Sequence, residues 1–299
     1  MLSRRSFLGG LAATAAALPF AHAAEPFVRA GKSRLRLSLA AYSFRDDGPR
    51  SKDGLRGGMD MFKFIDYCAE HGCEGAELTS YYFPANVTDD YLAQVHRHAH
   101  LRGVTVSGTA VGNNFCLAAG EARDKEIADV NEWVRKAAIL GAPHIRVFAG
   151  TAPKGMAKEE AKTNCIAALE ECGEAAGKAG IFLGIENHGG IVAEANDLVD
   201  ILKAVKSPWI GINLDTGNFH TDDPYADLAK IAPWAVNVQF KGYIQARGEK
   251  QKGPGDTART FKILRDANYQ GFVALEYELP EDPAVRVPKM LDEMKPFMG

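Results

Sequence analysis

Residues 180–218 read GIFLGIENHGGIVAEANDLVDILKAVKSPWIGINLDTGN, and they hold one complete strand–helix–strand unit. Ile181–Glu186 and Ile210–Leu214 are short apolar runs bounded by turn signals, the pattern of parallel strands buried on both faces. Ala195–Val205 between them reads as a helix. Working outward, the same unit recurs along the chain. Further runs of this kind lie at Leu35–Ala41, Gly75–Leu78, Val104–Gly108, His144–Ala149, Val236–Phe240 and Phe272–Glu276. Helical patterns separate them at Met61–Glu70, Tyr91–Leu101, Glu126–Leu140, Lys158–Ala179, Tyr225–Ile231, Thr257–Ala267 and Ala284–Phe297. Gly72, Gly103, Gly141 and Gly180 each fall between a helix and the next strand, where a left-handed residue ends a helix. Eight strands alternating with eight helices form either a closed barrel or an open doubly wound sheet. No Gly-x-Gly-x-x-Gly follows the first strand, so the expected fold is a single (β/α)8 barrel.

The 299 residues suit one such barrel, and the formal net charge of −3 supplies no general basic field for nucleic acid or anionic membrane. The N-terminus is separate from the fold. Ser3-Arg4-Arg5-Ser6-Phe7-Leu8 precedes the apolar run Leu11 to Leu18 and the small-x-small site Ala21-His22-Ala23. This order predicts a twin-arginine signal peptide over 1–24, cleavage near Ala23 or Ala24, and a barrel domain over 25–299. The expected location is the periplasm or the exterior, with no membrane contact after cleavage; a homo-oligomer is compatible with the sequence. The five cysteines are odd in number. Cys165 and Cys172, seven apart on one helix, lie about 10 Å apart, too far for a bridge. All five read as buried small residues, with Cys68–Cys73 the one pair worth checking.

Barrel enzymes carry their sites where the strands end. Strands five to eight end in Glu186, Asp215, Gln239 and Glu276, which therefore converge on one rim. Three carboxylates together repel one another and resist desolvation, so a cation must compensate them: Lys241, Arg247 or a metal. An all-oxygen set suits one divalent ion, Mn²⁺ or Mg²⁺ ahead of Co²⁺ or Zn²⁺. Lys241 lies two past Gln239 and so points inward too. Glu77 and Arg146 read as partners for each other or for Lys241. His188, His220, Asn113 and Asn114 lie in predicted strand-to-helix loops and are candidates for substrate contact, as are Lys241 and Glu77.

The segments Ser38–Phe44, Gly75–Leu78, Ile145–Gly150, Ile185-Glu186-Asn187-His188, Leu214-Asp215-Thr216-Gly217-Asn218 and Leu275-Glu276-Tyr277 resemble the sugar phosphate isomerase/epimerase family of xylose isomerase-like barrels. The Glu-Asn-His and Asp-Thr-Gly-Asn pair, in this order, is the specific part. The resemblance implies that Glu186, Asp215, Gln239 and Glu276 bind the metal, Mn²⁺ first, and that Glu186 and Glu276 also move protons. It also implies that His188 touches substrate. The family usually has histidine where this chain has Gln239, which leaves the identity of the metal open.

The leading expectation is a metal-dependent isomerase or epimerase acting on a keto sugar or related polyol through an enediolate. No Gly-rich phosphate loop or basic cluster is seen near strands seven and eight, and an exported enzyme rarely meets phosphosugars, so an unphosphorylated sugar, cyclitol or oxidised glycoside is expected. A 3-keto-glycoside lyase or hydrolase would use the same metal and base. A non-catalytic sugar-binding barrel is the alternative from another class, and the intact ligand set argues against it. Apurinic endonucleases share the resemblance, but the negative charge and missing histidines speak against nucleic acid.

Overall fold

A computed structural model describes residues 25–45 and 54–299; the signal-peptide expectation over 1–24 falls outside them. Each predicted apolar run becomes a strand: β1 Arg34–Ala40, β2 Gly75–Thr79, β3 Thr105–Ala110, β4 His144–Phe148, β5 Phe182–Glu186, β6 Ile210–Asp215 and β7 Ala235–Phe240. Two short strands follow, β8 Tyr243–Ile244 and β9 Gly253–Pro254, and then β10 Gln270–Leu275. The eight long strands close into a parallel barrel in the order β1-β10-β7-β6-β5-β4-β3-β2. It is a single (β/α)8 barrel. Strand β6 is buried along its whole length, as a strand must be when barrel interior and helix layer cover its two faces.

Eight helices surround the barrel: α1 Met61–Glu70, α2 Asp89–Leu101, α3 Glu121–Leu140, α4 Lys158–Ala179, α5 Ala195–Ala204, α6 Pro224–Ile231, α7 Thr257–Asp266 and α8 Pro283–Met294. Helix α3 starts five residues before the expected Glu126, because the polar stretch 121–125 carries no apolar periodicity. Helix α2 includes Asp89 and Asp90 in its first turn and is capped by Thr88, whose hydroxyl accepts from the Tyr91 amide. Gly141 and Gly180 end α3 and α4 in the left-handed conformation, as expected. The antiparallel pair β8–β9 was not legible, since two-residue strands show no period. All five cysteines are buried free thiols, so Cys68 and Cys73 are not bridged. Among the described residues, no helix is long and apolar enough to cross a membrane.

The N-terminal segment crosses the lower face of the barrel. The Phe27 amide donates to Pro233 and its ring meets Phe182 edge-on, while Arg29 lies over the rings of Phe27 and Tyr269. Inside the barrel, the His144 ring packs on Gly108, where an added Cβ would sit 1.8 Å from the ring. His144 Nδ1 lies 3.0 Å from the Ser107 carbonyl and, in the neutral ring, donates to it. Its Nε2 is buried with no hydrogen-bond partner, 4.0 Å from Glu77. Burial first, and Arg146 second, pull His144 down to about 4 from the ordinary 6.5.

A histidine held neutral in the folded state lets the unfolded chain take the proton first. Its contribution is therefore present above the unfolded pKa and lost as pH falls through the folded one. Urea unfolding at pH 7.5 and pH 5 should show a loss of about 2 kcal/mol from this group at the lower pH. In His144→Gln that share of the pH dependence should vanish. An unchanged dependence would mean that His144 does not titrate in this window.

Candidate active site

Strand ends place the expected residues. Glu186 and Asp215 are the last residues of β5 and β6, Gln239 is next to last in β7, and Glu276 follows β10 directly. All four are buried. Asn187 accepts from the Asp215 amide at 2.8 Å and donates to the Asp215 carbonyl at 2.9 Å, so the Glu-Asn-His motif fixes the neighbouring Asp-Thr-Gly-Asn turn. Thr216 Oγ1 accepts from the Lys241 amide at 2.9 Å and links that turn to β7.

Two buried cations meet the carboxylates. Arg146 Nε lies 3.0 Å from Glu186 Oε2, and Asn218 donates to Glu186 Oε1 at 2.8 Å. Lys241 Nζ lies 2.6 Å from Glu276, 2.7 Å from Glu278 and 3.2 Å from Asp215 Oδ2. Lys241 thus points inward, as its spacing from Gln239 requires. Arg247, the other side-chain cation considered, is an exposed residue paired with Glu194. Glu278 was not foreseen: it holds Lys241 and also accepts from the Tyr243 hydroxyl at 2.9 Å. Its side chain sits two past Glu276, and that spacing was the available signal.

Glu77 lies below the rim. Strand β2 continues to Thr79, so Glu77 is inside the strand, fully buried, and not at its end. Its expected pairing with Arg146 or Lys241 is replaced by amide contacts: Asn237 donates to one oxygen and Gln239 to the other, both at 2.7 Å. Gln239 Oε1 accepts from Asn213 at 2.5 Å, and its Nε2 also faces Glu276 at 3.4 Å. The Gln239 oxygen is therefore committed to Asn213 in this arrangement.

Two adjoining clefts open at the rim. The first, about 220 Å³, is lined by Tyr42, Tyr81, Arg146, Glu186, Lys241 and Glu276 among others. The second, about 250 Å³, runs past Asn113, Asn114, Gly150, Thr151 and Val192, and both clefts share Phe148, Glu186 and His188. His188 is exposed and its ring stands 4.7 Å from that of Phe148. The side chain of Asn113 is bonded in both directions to the Phe148 backbone. His220 is exposed, bonded to the Gln245 carbonyl at 3.2 Å, and lines neither cleft. Tyr42, Tyr81 and Phe148 are lining residues that sequence reasoning missed, since an aromatic at a strand end is equally a core residue.

Burial raises Glu186 to about 7, against the pull of Arg146. Burial raises Asp215 to about 8, against Lys241, with Glu186 and Glu276 adding to the rise. Glu77 is pushed up to about 8 by burial and by Glu276. Burial works against the charged forms of Lys241 and Arg146, but their carboxylate partners outweigh it and both are raised. Four carboxyl groups, Glu186, Asp215, Glu276 and Glu278, thus face two cations, Arg146 and Lys241, and burial with crowding raises Glu186 and Asp215. Asp215 Oδ2 is buried and accepts no hydrogen bond.

This oxygen donor set suits a hard divalent cation, and Asp215 Oδ2 is a buried oxygen that accepts no hydrogen bond, 3.2 Å from Lys241 Nζ. The side chains as arranged do not yet form a cage: among the described residues, no three His, Cys, Asp or Glu side chains converge closely enough to hold a metal ion.

The model of the xylose isomerase-like TIM barrel family matches residues 65–294. A putative hydroxypyruvate isomerase of Homo sapiens is 26% identical over 230 residues, covering 69% of this chain and 81% of that protein. The crystal structure of 3-keto-D-glucoside 4-epimerase from E. coli superposes with a TM-score of 0.66 at 16% identity, over 88% of this chain and 100% of that one. The IOLI protein with a bound zinc atom superposes with a TM-score of 0.69 at 16% identity, over 88% and 96%. At such identities the superpositions speak for the fold alone. With the family model spanning most of the chain, this protein belongs to the xylose isomerase-like TIM barrel family.

Proposed function

We propose that the protein is a metal-dependent isomerase or epimerase acting on a keto sugar or related polyol. The observation that carries this reading is the pairing of Glu186 and Glu276 on one rim cleft, with Arg146 and Lys241 beside them. Two carboxylates on one cleft can remove a proton beside a carbonyl and return one to the neighbouring or opposite position. A Glu186 pKa of about 7 suits both tasks near neutral pH. Lys241 favours the ionised form of Asp215, and Arg146 that of Glu186, against the burial that raises both. Tyr42, Tyr81 and His188 offer hydrogen-bonding groups toward sugar hydroxyls.

Glu186, Asp215 and Glu276 would hold a divalent cation, with Gln239 beside them; bound there, it would polarise the substrate carbonyl and stabilise an enediolate. The bound zinc of the IOLI protein supports a metal in this family fold, and the oxygen donors of this chain favour Mn²⁺ or Mg²⁺. The human relative and the E. coli epimerase support isomerase-type chemistry on a hydroxy-carbonyl compound. Among the described residues, the cations lining the clefts, Arg146 and Lys241, are already paired with carboxylates, which supports an unphosphorylated substrate.

The test is incubation of the Mn²⁺-dialysed protein with a panel of ketoses and 3-keto-glycosides in D2O. Deuterium should enter the carbon beside the carbonyl, elemental analysis should find about one divalent ion per chain, and Asp215→Ala should lose it. A protein that takes up no metal, or that exchanges no proton in any of these compounds, would overturn the reading.

A further inference from the structure

Each rim cleft alone is smaller than the roughly 300–1,000 Å³ usual for a small-molecule site, and the two together fall within it. They share Glu186, Phe148 and His188, so one ligand can lie across both. The second cleft is built and is not a packing gap. Gly150 and Gly190 are both at positive φ, and their backbones approach so closely that a Cβ on Gly190 would meet the Gly150 carbonyl at 2.3 Å. A Cβ on Gly150 would meet Asn114 Oδ1 at 2.0 Å.

The chemistry of the walls is unlike that of the first cleft. Asn113 is committed to the Phe148 backbone, and Asn114 donates to the Thr151 carbonyl at 3.1 Å and accepts from the Cys116 amide at 3.0 Å. What remains toward the cleft is the Phe148 ring, Val192, Ala149 and glycine backbone, with the exposed Thr151 and the Glu186 and His188 shared with the first cleft as its polar side chains. Arg146 lies 4.0 Å from the Phe148 centroid and the His188 ring is tilted against the same side chain, so this aromatic wall is held in place. A polar second sugar would lose hydroxyl hydration here with few partners to replace it, whereas a flat apolar group gains by burial.

We infer that the second cleft is a subsite for an apolar, aryl aglycone attached to the sugar ring in the first cleft, which makes the substrate a glycoside and not a free monosaccharide. The inference rests on the reading that the first cleft takes a sugar.

Calorimetric titration of the full mature protein, loaded with Mn²⁺, tests it with phenyl glucosides, methyl glucosides and cellobiose, each glucoside in both anomeric forms. One phenyl glucoside should bind at least about tenfold more tightly than its methyl counterpart, as expected for burial of one face of a ring. Thr151 is exposed and lines only the second cleft, so Thr151→Trp fills it from the surface and should erase this preference while leaving methyl glucoside binding in place. Equal binding of phenyl and methyl glucosides to the unaltered protein overturns the inference and leaves the sugar reading standing. Tighter binding of cellobiose than of either phenyl glucoside also overturns it, in favour of a second sugar. Binding of no glucoside at all overturns the inference, while the sugar reading is decided separately by deuterium exchange in the ketoses and 3-keto-glycosides.

Discussion

Glu186→Gln and Glu276→Gln should each lower turnover by about 10²–10⁴, the usual worth of a general acid or base, while retaining bound metal. Glutamine keeps an oxygen that can coordinate but cannot accept a proton. The prediction therefore separates two roles that one carboxylate would combine. In an epimerase the two variants should also differ in face, one blocking exchange from one epimer and the other from its partner. Deuterium exchange at the acidic carbon, read separately from product formation, gives the answer. Near-normal exchange in both variants, with metal retained, would mean that these carboxylates only bind the ion. The proton acceptor would then lie elsewhere on the cleft, with Lys241 and His188 the next to replace.

Lys241→Met should have the largest effect on stability. The methionine keeps most of the volume but removes the charge facing Asp215, Glu276 and Glu278. Leaving buried charge without its partner typically costs about 3–5 kcal/mol. Without the ammonium, the pKa of Asp215, already raised by burial, rises further, and the folded protein holds a proton that the unfolded chain releases. A raised folded pKa favours the folded state at low pH and loses that advantage as pH rises. The variant should accordingly be most impaired near pH 8 and recover part of the loss by pH 6. Urea unfolding of the metal-free proteins at both pH values measures this. A loss below about 1 kcal/mol at pH 8 would show that the carboxylates are already neutral or solvated without Lys241.

Much of this protein was legible in its sequence. Buried parallel strands are continuous apolar runs, and the glycines at helix ends punctuate them, so the eight long strands and eight helices follow from local pattern, and the missing Gly-x-Gly-x-x-Gly points to the closed barrel over an open sheet. The ends of β5, β6, β7 and β10 followed as well, because a barrel brings consecutive strand ends to one rim whatever their side chains are. Glu186, Asp215, Gln239 and Glu276 meet there for that reason. Local pattern could not decide which charge pairs with which, since partners are set by distances across the barrel that no spacing encodes. Arg146 was expected near Glu77 and instead neutralises Glu186, while Glu77 is bound by Asn237 and Gln239 from the far side of the barrel. The amide of Gln239 could be named as a donor from sequence, but only its neighbours Asn213 and Glu77 determine which way it faces. The contact of Lys241 with Glu278 and the packing of Phe148 on His188 depend on side chains from different strand ends meeting at the rim. Sequence by itself determined the barrel and which side chains stand at its mouth, because both depend on periodicity and strand order. Tertiary structure alone decided the charge pairing, the orientation of the amides and the shape of the clefts, because these depend on contacts between residues far apart in the chain.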